Sequence, residues 1–425
     1  MAGLISRTGV LFAALAAATA LVACGGGGGG GTSLGTSTIP STPATNSPPP
    51  RSQTASMTSG IAYIPGNGLG HFDPYAMTVV QYEDTTGALM ATPVVNEYGA
   101  GSLANQIIAN ADGTAVVAIV GGSSSLQADS VETLSMNGTL GALGSTANVQ
   151  SLVGSPISIA LMPDNDTLLV QGSTTQSFGV LTGAKTGNFV SAGTFSYPEG
   201  LDPSVIALAV SPDGKTLIAR GQSQTFVYAI SAPNGQYTLT QTASDSVLNG
   251  SIKGRGALAF DPADSSKALF GYLAYGDQVM LETGLPSSPA NGASIRLSGN
   301  TVNSLAFTPD GNYAVVGTKG GIYVLTGMGA GSLSTVAQST GTAYSMSFVD
   351  QTGASQTTAN VLSVGVSYDG KYVSAIATYN DATNQQREAL FVAPIANGVI
   401  GNGTIAVLDL KTFGAVLGTD DVLFR

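Results

Sequence analysis

The chain is short of the residue types that most often carry chemistry. Its 425 residues include one cysteine, one histidine and no tryptophan, and only 9% are charged. A single cysteine, Cys24, excludes an internal disulfide, so stability has to come from packing. A single histidine, His71, leaves a zinc site with carboxylates alone to complete it, and no such cluster stands out, so neither a metal nor another cofactor is expected. With 14 Lys and Arg against 25 Asp and Glu, the net charge of −11 offers no basic footprint for nucleic acid. What is abundant is apolar and small: 43% hydrophobic residues and 57 glycines, with a neutral polar remainder of Ser, Thr and Asn. That profile suits an extracytoplasmic protein with a sizeable core.

Residues 1–23 read as a secretion signal, with Arg7 in the basic region followed by the apolar run TGVLFAALAAATALVA. The string LVAC, with Leu21 three positions before the cysteine and Ala23 directly before it, resembles the lipobox of bacterial lipoproteins. The resemblance implies that Cys24 is the lipid-attachment residue, acylated and inserted into a bilayer, and that Gly25 after it favours the outer membrane. Several acyl chains make such anchoring stable. Residues 24–59 are Gly, Ser, Thr and Pro with little to bury, which predicts a solvated tether of roughly 30–35 Å mean reach.

Residues 60–425 are predicted to form one repeat domain. The segment VIALAVSPDGKTLIARGQSQTFVYAI from Val205 has relatives beginning at Leu103, Ile157, Gly256, Val302 and Val361. Their turn aspartates, Asp112, Asp164, Asp213, Asp264, Asp310 and Asp369, lie 52, 49, 51, 46 and 59 residues apart, a period that suits one four-stranded propeller blade. Each unit has a short apolar strand, a turn such as SPDG or TPDG, and two returning strands. These units resemble the YVTN-type β-propeller repeats of bacterial surface and lactonase-like propellers. The expected fold is therefore all-β: about seven four-stranded blades. Strands before the first full unit (GIAYIP, AMTVVQYED, LMATPVV) lack an innermost partner, and spare strands follow the last unit. Pairing the two ends in one blade would close the ring and hide its edges.

Chemistry is harder to place. His71, with Asp73 two residues on, is the weak candidate for a polar site, in the Gly-rich loop GNGLGHFDPY. No catalytic residue is assigned, because the acid, arginine and histidine of lactonase-like propellers match no positions here. DGKT at 213–216 lacks the glycine that a phosphate loop needs at Ala209. DNDT from Asp164 has Leu168 where a calcium loop needs a ligand, and GTSLG at 31–35 has no flanking strand and helix. Long insertions at 121–130, 339–360 and 379–388 are the expected recognition loops. The sequence thus points to an envelope-anchored scaffold binding a surface protein or glycan, with a lactonase-like or glycan-processing enzyme, or a small-molecule binder at the central channel, as the alternatives.

Overall fold

A computed structural model describes most of residues 152–401 with their side chains, and the strands from 59 to 148, 406–409 and 423–424 by their backbone. Cys24, His71 and Asp73 lie outside the described residues. The domain is a β-propeller built from antiparallel sheets of consecutive strands. Blade two holds Ser102–Ala109, Ala115–Gly122, Ser130–Ser135 and Ala142–Asn148; blade three Pro156–Leu161, Leu168–Gly172, Ser177–Thr182 and Val190–Ser196. Blade four holds Val205–Val210, Thr216–Gly221, Thr225–Ser231 and Thr238–Ala243; blade five Leu258–Phe260, Ala268–Tyr272, Gln278–Thr283 and Ala290–Arg296. Blade six holds Val302–Phe307, Tyr313–Thr318, Gly321–Thr326 and the short Ser334–Thr335. Blade seven runs Asn360–Val366, Tyr372–Asn380 and the long Gln386–Ala396, which pairs with both Val399–Ile400 and Ala406–Asp409.

Closure follows the expected scheme. In blade one Ser59–Pro65, Ala76–Glu83 and Val94–Glu97 supply the outer three strands, and Leu423–Phe424 takes the innermost place, with Ala62 opposite Phe424 and Tyr63 opposite Leu423. The first strands of blades two to seven and Leu423–Phe424 contact one another in sequence, and the last returns to the first. A ring of inner strands results.

The turns between first and second strands repeat one network, which the sequence motif makes possible. The Ser211 hydroxyl donates to Asp213 Oδ1 at 2.6 Å, Lys215 N donates to the same oxygen at 3.0 Å, and Thr216 N donates to Ser211 Oγ at 2.9 Å. Thr308 with Asp310 and Ser367 with Asp369 build the same arrangement. The glycine after the aspartate has φ of 70° at both Gly214 and Gly311, the left-handed region that glycine enters without a Cβ clash. Asn165 takes that place in blade three, at φ 60°. Asp164 beside it accepts from Asp166 N, Thr167 N and the Thr167 hydroxyl, so DNDT is a turn. The turn of blade five is longer: Asp261 stands where the others have a hydroxyl, while Asp264 accepts from Ser266 and pairs with Lys267 at 3.0 Å.

Packing lies between blades. Alternation along each strand sends one set of side chains toward the preceding blade and the other toward the next. Leu169, Phe178 and Val180 of blade three thereby meet Leu217, Ala219 and Tyr228 of blade four. Ala207, Ile218 and Val227 of blade four belong to the core that includes Phe270 and Leu258 of blade five. Each fully buried Leu, Val or Phe contributes about 1.5–3 kcal/mol.

Two expected loops prove to be ordered β-structure. Within 339–360, Met346–Val349 and Ser355–Thr358 form a hairpin. Met346 and Phe348 are buried, and Phe348 packs edge-to-face on Tyr379 and Phe391 at 5.0 Å each, while Ser347 and Val349 face outward. Half of 379–388 belongs to the paired ends of Tyr372–Asn380 and Gln386–Ala396. A tight turn joins them, in which Asp381 accepts from Thr383 and from Arg387 Nε at 2.7 Å.

Candidate functional site at the inner ring

The inner strands place the candidate site around the axis. They read SLANQIIA, PISIAL, VIALAV, LAF, VNSLAF, NVLSVGV and LF, and none contains a charged residue. The same irregularity recurs in five of them. The register shifts between Ala104 and Gln106, Pro156 and Ser158, Val205 and Ala207, Val302 and Ser304, and Val361 and Ser363. The extra residues, Asn105, Ile157, Ile206, Asn303 and Leu362, each stand seven positions before the turn aspartate of their blade. A bulge leaves its extra residue out of the ladder, and bulges gather beside functional sites.

Neutral polar groups tie the ring together. Ser158 Oγ accepts from Leu208 N at 3.1 Å, and Ser304 Oγ accepts from Val364 N at 3.2 Å, each joining one inner strand to the next. Blades four and five have Ala207 and Ala257 at that position. At the bulge of blade six, Asn303 Nδ2 donates to Val361 O at 2.7 Å and to Asn360 Oδ1 at 3.3 Å, and Asn360 Nδ2 donates onward to Thr378 Oγ1. Both serines are buried between strands, whereas Asn303 and Asn360 are partly exposed, so the ring can offer amide hydrogen bonds beside aliphatic surface. Its strands have no cation to hold a phosphate and no side chain to act as a general base.

Among the described residues no group of three or more His, Cys, Asp or Glu side chains could hold a metal. None of their helices is long and apolar enough to cross a membrane. Sequence reasoning passed over one further polar group, Arg220 and Glu282, buried between blades four and five. Arg220 is the penultimate residue of the strand TLIARG and Glu282 sits in QVMLET. Only the register shows that they occupy facing surfaces.

The sequence matches no protein-family model and no curated relative. The fold has many solved counterparts. A Bacteroides uniformis protein provisionally assigned as a 6-phosphogluconolactonase superposes with a TM-score of 0.58 at 15% identity, covering 87% of this chain and 100% of its own. A second protein with the same provisional assignment, from Bacteroides fragilis, gives 0.56 at 15% identity, covering 87% and 98%. The periplasmic gluconolactonase of Pseudomonas aeruginosa also gives 0.56 at 15% identity, covering 86% and 99%. At that identity the likeness establishes the architecture alone: this chain has the β-propeller fold that these proteins share.

Proposed function

We propose that the protein is a lactonase-like propeller that takes a small, uncharged sugar lactone at its inner ring. The observation that carries this reading is the lack of any charged residue in the inner strands of a lactonase-like fold. Amide groups suit the hydroxyls of a neutral sugar ring, whereas a phosphorylated lactone would call for Arg or Lys. Backbone amides freed by the repeated bulges are the natural donors to a lactone carbonyl oxygen. Hydrolysis adds water to that carbonyl, breaks the ring C–O bond and yields a hydroxy acid, which releases a proton near neutral pH. The base that activates the water would come from the loops that rim the ring.

The test is proton release from glucono-1,5-lactone and from its 6-phospho derivative, each measured above its spontaneous rate with the purified protein. Acceleration confined to the neutral lactone supports the reading. If neither lactone reacts faster and calorimetry detects no binding of the neutral one, the reading fails.

A second reading is an envelope scaffold, tethered through Cys24, that binds a surface protein or glycan. It is favoured by the hairpin at Met346–Val349 and Ser355–Thr358, anchored by Phe348 with Ser347 and Val349 turned outward. Crosslinking in intact envelopes, with and without the hairpin tip at 350–354, would reveal a partner that depends on it. An unchanged crosslinking pattern would dismiss this reading.

A further inference from the structure

We propose that the seam between blades four and five is an internal water-binding site, in which bound water links Arg220 of one blade to Glu282 of the next. Arg220 is 1% exposed and Glu282 is wholly buried. The guanidinium carbon of Arg220 lies 4.8 Å from the centre of the Phe270 ring, which supports its charge from one side. Phe270 and Glu282 share a face of blade five, since Phe270 pairs with Met280 and Ala268 with Glu282 across neighbouring strands. Arg220 shares its face of blade four with Thr225, its register partner, and with Thr216, four residues earlier on the same strand.

The polar groups of this seam outnumber the hydrogen bonds that protein atoms give them. Both carboxyl oxygens of Glu282 and the hydroxyls of Thr216 and Thr225 are buried with no protein partner. Buried polar groups are rarely left unpaired, and a buried water typically takes about three hydrogen bonds from such groups. Water between the two blades would satisfy the threonine hydroxyls and both carboxyl oxygens and bring them into one network with the guanidinium.

The repeat argues that this polarity is not required by the fold. The pair equivalent to Arg220 and Glu282 is Gln171 and Tyr228 between blades three and four. It is Gly271 and Leu325 between blades five and six, and Gly317 and Ala393 between blades six and seven. The last two seams close with apolar or minimal side chains, as a propeller core ordinarily does. Among these four seams, polar pairs are confined to the two faces of blade four.

Such a site has an electrostatic signature. Burial pushes the Glu282 carboxyl up to about 8, and the positive charge of Arg220 only partly offsets this. Arg220 is the charged group that blade four turns toward it. The other charged residues of its own sheet are Arg296, which pairs with Gln278 on the outer strand, Asp261, Asp264 and Lys267 in the turn before Ala268, and Asp277 before the strand that carries it. At neutral pH Glu282 is therefore a neutral acid, able both to donate to water and to accept from it.

A high-resolution crystal structure of the wild-type protein tests the proposal directly. Density for water within hydrogen-bonding distance of Glu282 and of Thr225 or Thr216 is expected. A dry seam, with the carboxylate resting directly on the guanidinium, overturns it. In solution, the melting temperature of the wild type should fall by several degrees more than that of Glu282→Gln between about pH 5 and pH 8. The sign follows from the raised value: the folded chain keeps a proton that the unfolded chain has lost, so stability present below about 4.5 is lost as the pH rises toward 8. Equal slopes for the two proteins would contradict a buried neutral acid. Should the variant fail to fold, the infrared carbonyl band of a protonated carboxylic acid at pH 7 in the wild type gives the same answer.

Discussion

Gln338, at the end of blade six, holds the Asn397–Gly398 turn and the following Ile400 of blade seven. Its side-chain amide donates to Gly398 O at 3.0 Å and its carbonyl accepts from Ile400 N at 2.9 Å. One buried side chain thereby satisfies two backbone groups of another blade, some sixty residues on. Gln338→Ala should orphan both and cost about 2–4 kcal/mol, read as a lower denaturation midpoint with unchanged slope. A loss below about 0.5 kcal/mol would mean that the groups find other partners.

Two glycines with the same φ of 70° separate backbone strain from crowding. A Cβ at Gly311 would stand 2.5 Å from Asp261 Oδ1 and 2.8 Å from Ala263 Cβ in the neighbouring turn, whereas one at Gly331 meets nothing within 4 Å. Gly331→Ala should cost roughly 1–2 kcal/mol, the penalty for a Cβ in the left-handed region. Gly311→Ala should cost that and about 1–3 kcal/mol more, because the turn of blade five cannot recede freely. Chemical denaturation of the two variants side by side makes the comparison.

The turn aspartates predict behaviour in acid. Burial alone would raise the Asp310 carboxyl, but the Thr308 hydroxyl and the Asn312 amides outweigh it and hold it below the usual carboxylate range. At Asp369, Lys371 and Ser367 likewise overcome burial. A depressed value means stability that is present above the unfolded value of 3.8 and lost as the pH falls through the folded one. The double variant Asp310→Asn, Asp369→Asn should therefore melt below the wild type at pH 7, with the gap closing toward about pH 2. A constant gap would remove the electrostatic explanation.

The lipid anchor proposed at Cys24 makes its own prediction. Cys24→Ser should abolish fatty-acid labelling and release the domain from sedimented membranes. Labelling that persists would mean that Cys24 is not the acylated residue.

Much of the fold was legible because its signals are local. The turn motif needs only a hydroxyl, an aspartate and a glycine within four residues, and its spacing alone located the blades. Closure was legible by elimination, from strands left over at both ends. What escaped the sequence depends on register across blades. Arg220 and Glu282 look like ordinary strand residues until the registers of their strands show which face each takes. The residues 339–360 looked like a polar loop because the partners of Phe348, Tyr379 and Phe391, belong to a blade not yet begun. Asp264 was a fair guide to the turn of blade five but not to its form, since Asp261 supplies the group that serine or threonine supplies elsewhere.

The sheet that pairs Tyr63 with Leu423 also sets an order of events in folding. Blades two to seven can each form from a contiguous stretch of chain, at modest loop-closure cost. Blade one cannot, because its strands are separated by nearly the whole domain, and contacts of such long range are the slowest to form. Until they do, the inner edge of the strand at 59–65 remains open to pairing with another chain. The last step of folding is then also the step most exposed to domain swapping, and conditions that slow it should favour intertwined dimers.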